Sequence, residues 1–124
     1  MSNIYLMIGG IYHIGFIIFH IFFWKIFRWK ADLRSLMPLN RGIMQVINLC
    51  LIFVFFIFAY ISFFYRQELV ATPLGKVMLL LIAIFWLLRA IEQIIFFPRK
   101  NVVSIIFLII FLSGSALYLI PYFV

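Results

Sequence analysis

Four apolar stretches separated by short polar segments make up most of the chain, at about 4–24, 43–64, 74–97 and 102–124. A membrane-spanning helix needs about 20 apolar residues, because the hydrocarbon core is about 30 Å thick and a helix rises about 1.5 Å per residue. Each stretch meets that length. The pattern therefore predicts an all-α integral membrane protein, an up-down four-helix bundle forming a single transmembrane domain over residues 1–124. No large soluble domain is expected.

The third stretch departs from the others. Between Pro73 and Phe97 it carries Arg89, Glu92 and Gln93, whereas the other three contain no Asp, Glu, Lys or Arg. A charged residue at a helix centre costs about 2.5–3.5 kcal/mol on insertion scales, so these groups are expected to face protein rather than lipid. Arg89 and Glu92 are three apart and are expected to pair on one face, with Gln93 bordering it.

Helical periodicity places polar groups on the other helices too. In the first, Gly9, His13, Phe16 and His20 form one stripe, and Gly9, Gly10 and Gly15 are expected to let neighbouring backbones approach. In the second, Gln45, Asn48, Ile52, Phe55 and Ala59 share a face, with Asn40 as the expected N-cap. In the fourth, Ser104, Leu108, Phe111, Ser115, Tyr118 and Tyr122 do so, and Ser113-Gly114-Ser115 is a small-residue packing site. Thr72-Pro73 and Asn101 read as helix starts. Pro98 to Asn101 reads as a tight basic turn, and Pro121 is expected to loosen the last turn. Counted by depth, His20, Gln45, Asn48, Arg89, Glu92, Gln93 and Ser104 fall in one layer near one membrane face, with His13 deeper. Such a layer is either a register-fixing network or a binding or proton-handling site.

Composition agrees with the pattern. The chain is 69% hydrophobic and 10% charged, against about half and a quarter for soluble domains. Its net charge of +7 sits mostly beside the helices, which suits contact with anionic lipid headgroups rather than nucleic acid. Trp24, Phe27 and Trp29 interleave with Lys25, Arg28 and Lys30 as interfacial anchors would. The segments 25–41 and 98–101 hold Lys25, Arg28, Lys30, Arg34, Arg41, Arg99 and Lys100, whereas the segment between the second and third helices holds Arg66 and Lys76. The positive-inside rule places the two basic segments in the cytoplasm and both termini outside, in an inner membrane of bacterial type. The first stretch lacks a basic lead and a clear cleavage site, and is expected to be a retained helix.

Candidate chemistry is sparse. The single Cys50 lacks a partner thiol and is expected to be a small buried apolar residue. His13 and His20, seven apart on one helix, cannot sandwich one haem, and no third histidine exists. No catalytic residues, metal ligands or cofactor are assigned. Arg89 beside Glu92 favours an anchor over a general base, and no phosphate loop, nucleophile elbow or zinc-protease motif is present.

By length and helix count the chain resembles the small multidrug-resistance transporters, but their membrane-embedded glutamate lies in the first helix, and none stands there in this chain. By size, helix count and sparse polar residues, it resembles the small, mostly uncharacterised four-helix bacterial membrane proteins of the DoxX-like kind. That resemblance implies a fold and no activity. The expected function is therefore a non-enzymatic packing or accessory protein whose partners are the bilayer, its anionic headgroups, and a second copy or another membrane protein. The alternative is a small-molecule or proton-coupled transporter using Arg89 and Glu92; haem or quinone binding is a weaker one.

Overall fold

In the computed structural model, residues 2–97 and 101–124 are described. Among these residues seven α-helices run in chain order: α1 (Ser2–Ile21), α2 (Phe23–Ile26), α3 (Trp29–Asp32), α4 (Pro38–Phe64), α5 (Arg66–Ala71), α6 (Pro73–Phe96) and α7 (Val102–Phe123). No strand occurs among the described residues, so the fold is all-α. Among them α1, α4, α6 and α7 are long and apolar enough to cross a membrane. Large apolar side chains such as Leu49, Phe53, Ile95 and Val102 cover the outside. That surface suits lipid as the solvent.

Helix starts follow their local chemistry. The Thr72 hydroxyl accepts from Gly75 N at 2.9 Å, with Pro73 in the first helical turn. Asn101 Oδ1 accepts from Val103 N at 2.9 Å. Asn40 is not the cap of α4: that helix begins at Pro38, with extended Met37 before it. Its 27 residues give about 40 Å of length, more than a bilayer core requires. The extra turn carries Arg41, whose guanidinium donates to the carbonyls of Leu33 (2.8 Å) and Leu36 (3.1 Å). Arg41 thus fastens the connecting segment, in which Trp29 and Leu33 are buried. Arg28, at φ 53°, reverses the chain between α2 and α3. The expected turn at Pro98–Asn101 lies, apart from Asn101, outside the described residues. Pro121 lies within α7, which continues to Phe123.

The helices pack as a chain of neighbours, α4 on α1, α1 on α7, and α7 on α6. By contrast, α4 and α6 meet through large rings: Phe55 lies 5.5 Å from Trp86 and 6.1 Å from Phe85, and Phe58 lies 5.6 Å from Phe85. The glycines of α1 do not bring backbones together as expected. Gly9 receives the Tyr118 ring and Gly10 the Phe63 ring, while Gly15 faces open space. The close backbone approach is at Gly75, where a Cβ would collide with the Glu68 carbonyl and the Leu69 Cα of α5. Gly75→Ala is expected to displace α5 and cost about 1–3 kcal/mol, read as a fall in unfolding temperature in detergent. An unchanged transition would show that α5 is not held there. Cys50 is exposed on α4 rather than buried, a correction to the sequence expectation.

Candidate functional site

Two polar groupings lie between the helices. The deeper one joins all four long helices. The Trp86 indole N–H donates to His13 Nε2 at 2.9 Å. An indole nitrogen can only donate, so His13 Nε2 is the acceptor and Nδ1 carries the proton. Nδ1 then donates to the Gly9 carbonyl at 2.8 Å and lies 3.1 Å from the Tyr118 hydroxyl. The Tyr118 and Ser62 hydroxyls are 2.6 Å apart, and Ser62 donates to the Phe58 carbonyl. The indole fixes the His13 tautomer, and because the Ser62 proton goes to the Phe58 carbonyl, Tyr118 is the donor to Ser62. Tyr12 adds a bond to the Ile110 carbonyl at 2.7 Å, and Ser115 one to the Ala83 carbonyl at 2.8 Å. Both ring nitrogens of His13 are engaged, which leaves it no lone pair for an iron.

Sequence reasoning singled out His13, and placed Tyr118 and Ser115 on one shared face of the fourth helix. It missed Trp86 and Ser62. Trp86 lies three residues before Arg89 on the same helix, so the face assigned to Arg89 was the signal that could have found it.

The shallower grouping contains most of the expected layer, arranged differently. His20 Nδ1 lies 2.8 Å from Asn48 Oδ1, and Asn48 Nδ2 donates to the His20 carbonyl at 3.1 Å. The carbonyl fixes the amide orientation, so His20 Nδ1 is the donor to Asn48. Gln93 Nε2 donates to Ser104 Oγ at 3.0 Å, while Gln93 Oε1 is buried without a hydrogen-bond partner. Gln45 stays apart and bonds its own helix at the Arg41 carbonyl, 3.3 Å away.

Arg89 and Glu92 do not form the expected pair. Glu92 is exposed on the outer face of α6, beside exposed Ile91 and Ile95. Positions three apart on a helix still diverge by about 60° (3 × 100° short of a full turn), enough here to send one side chain outward. Arg89 is half-buried, its guanidinium 4.4 Å from the Phe111 ring centroid and 5.5 Å from that of Phe97.

Arg89, His20, Gln93 and Ser104 all line one cavity of about 640 Å³. Its walls are largely aromatic, with Phe16, Phe55, Trp86 and Phe111 at the deep end and Phe27, Trp29 and Asp32 toward the α2–α3 connection. No group of three His, Cys, Asp or Glu side chains placed to hold a metal occurs among the described residues. Ser104 is the one hydroxyl-bearing side chain on the wall among the described residues, and Gln93 engages it. No protein-family model matches the chain, and no curated protein or solved structure does so either.

Proposed function

We propose that this protein is a non-enzymatic membrane protein that binds a small amphipathic molecule in the aromatic cavity, with Arg89 holding its polar end. The observation that carries the proposal is a guanidinium half-buried in an apolar cavity of about 640 Å³, with aromatic faces beside it and no acidic side chain paired with it among the described residues. Volumes of about 300–1,000 Å³ with a few convergent polar groups are typical of small-molecule sites. Intramembrane charges otherwise pair with one another or serve a ligand path.

The cavity favours ligand binding over the packing role expected from the sequence. Transport across the membrane has less support, because the His13–Trp86–Tyr118–Ser62 network and its rings fill the space beyond the deep end. Native mass spectrometry from a mild detergent tests the proposal. A retained small molecule in a defined ratio is expected; a chain that stays bare after amphiphiles are added would overturn it.

The same proposal includes orientation. The two basic segments lie on the cytoplasmic side of an inner membrane, both termini lie outside, and Trp24, Phe27 and the lysines contact anionic headgroups. The cavity then opens toward the cytoplasmic leaflet. Reporter fusions at the termini are expected to report the outer side, and a cytoplasmic C-terminus would refute the orientation.

A further inference from the structure

The ligand of this cavity has a definable chemistry. We infer that it is a membrane amphiphile with an anionic oxygen head, carboxylate or phosphate, and an acyl chain, and that it enters sideways between α4 and α6. The inference rests on the proposal that the cavity binds a small molecule.

The head follows from Arg89. Its guanidinium lies against Phe111 and Phe97, and rings so placed leave the N–H edge as the part that can donate. The nearby carboxylates do not complete it: Glu92 faces outward, and Asp32 lines the cavity without an ion pair to Arg89 among the described residues. A planar fork of donors in an apolar wall is matched by two oxygens sharing a negative charge. Gln93 Oε1, one turn further along α6, is a buried acceptor without a partner, and it suits a headgroup hydroxyl or an accompanying water.

The route follows from packing. Neighbouring helices close the assembly at α4–α1, α1–α7 and α7–α6, and α4 and α6 rely on the rings of Phe55, Phe58, Phe85 and Trp86. Those rings close the seam near its middle. Toward the α2–α3 end the cavity is walled by Met44 and Leu51 on α4, by Arg89 on α6 and by Phe97 just past its end. Met44 and Phe97 line the cavity and are also exposed, and the inferred entry lies between them. Arg89 lies seven residues before the end of α6 at Phe96, which puts it about 10 Å inside that end. A lipid-dissolved amphiphile reaches Arg89 from the hydrocarbon with its chain still in an apolar medium. A water-soluble anion has no such advantage.

Photo-crosslinking separates the alternatives. The purified protein, in nanodiscs of a neutral phospholipid, is irradiated with a long-chain fatty acid carrying a diazirine in mid-chain, and labelled residues are mapped by mass spectrometry. Saturable labelling of the seam residues Met44 and Leu51 is expected. Labelling is expected to fall about 10- to 100-fold in Arg89→Gln, the loss expected for a charged hydrogen bond, and far less in Arg89→Lys. The methyl ester of the same probe is expected to label weakly. Displacement by unlabelled fatty acid identifies a carboxylate as the natural head, and displacement by an anionic phospholipid identifies a phosphate; either supports the inference.

Equal labelling by the ester on the unaltered protein would overturn the anionic head while leaving the cavity a binding site, and needs no variant to fold. Displacement by butyrate or inorganic phosphate as effective as by the long-chain acid would overturn the chain and the route. Absence of cavity labelling by every probe, together with a bare chain in native mass spectra, would remove the binding proposal itself.

Discussion

Trp86→Ala is expected to destabilise the protein by about 3–5 kcal/mol, the range for truncating a buried large aromatic side chain. Trp86 is 1% exposed, stacks on Phe55 and Phe111 at 5.5 and 5.7 Å, and donates to His13. Two effects contribute, and their sizes differ. Hydrogen bonds inside membranes average about 0.6 kcal/mol in measured cycles, while the volume of the indole accounts for most of the larger figure. Trp86→Phe keeps most of the ring and loses the N–H, so a cost of about 1–2 kcal/mol is expected. Unfolding of both variants in detergent checks this. A Phe variant as damaged as the Ala variant would show that the hydrogen bond, not the packing, dominates.

Arg89→Leu is expected to act in the opposite direction on stability. No acidic side chain among the described residues is left unpaired by it, since Glu92 faces outward. It removes an intramembrane charge, whose cost at a helix centre is about 2.5–3.5 kcal/mol and is smaller about 10 Å from the helix end, and gives up ring contacts worth about 0.5–2 kcal/mol. The unfolding temperature should therefore hold or rise, while ligand retention falls about 10- to 100-fold. A structural role for Arg89 gives the other sign: clear destabilisation, with any bound molecule retained.

Much of the architecture was legible from the sequence because it depends on local pattern. Length and hydropathy mark the four long helices, and Thr72 and Asn101 cap where their side chains suggest. The stripe Gly9–His13–Phe16–His20 is buried, as helical periodicity requires. The start of α4 was not legible, because Pro38 to Arg41 are polar enough to read as loop and helical geometry continues past the apolar run.

Sequence spacing singled out His20, Arg89, Gln93 and Ser104, which line the cavity, but grouped Gln45 and Glu92 with them and gave no geometry. Spacing puts Arg89 and Glu92 near one face; it does not say that one is half-buried and the other exposed. His13 meets Trp86, Tyr118 and, through Tyr118, Ser62, on three other helices, and sequence spacing carries no information about such contacts. The cavity itself arises where α4 and α6 fail to close, which is a property of packing rather than of any one segment.

The most direct measurement is a pair of native mass spectra, of the unaltered protein and of Arg89→Leu, purified side by side in the same mild detergent. A working site at Arg89 predicts a small-molecule mass increment on the first that is lost from the second, with both chains folded. The same increment on both proteins, or none on either after amphiphile is supplied, would contradict it.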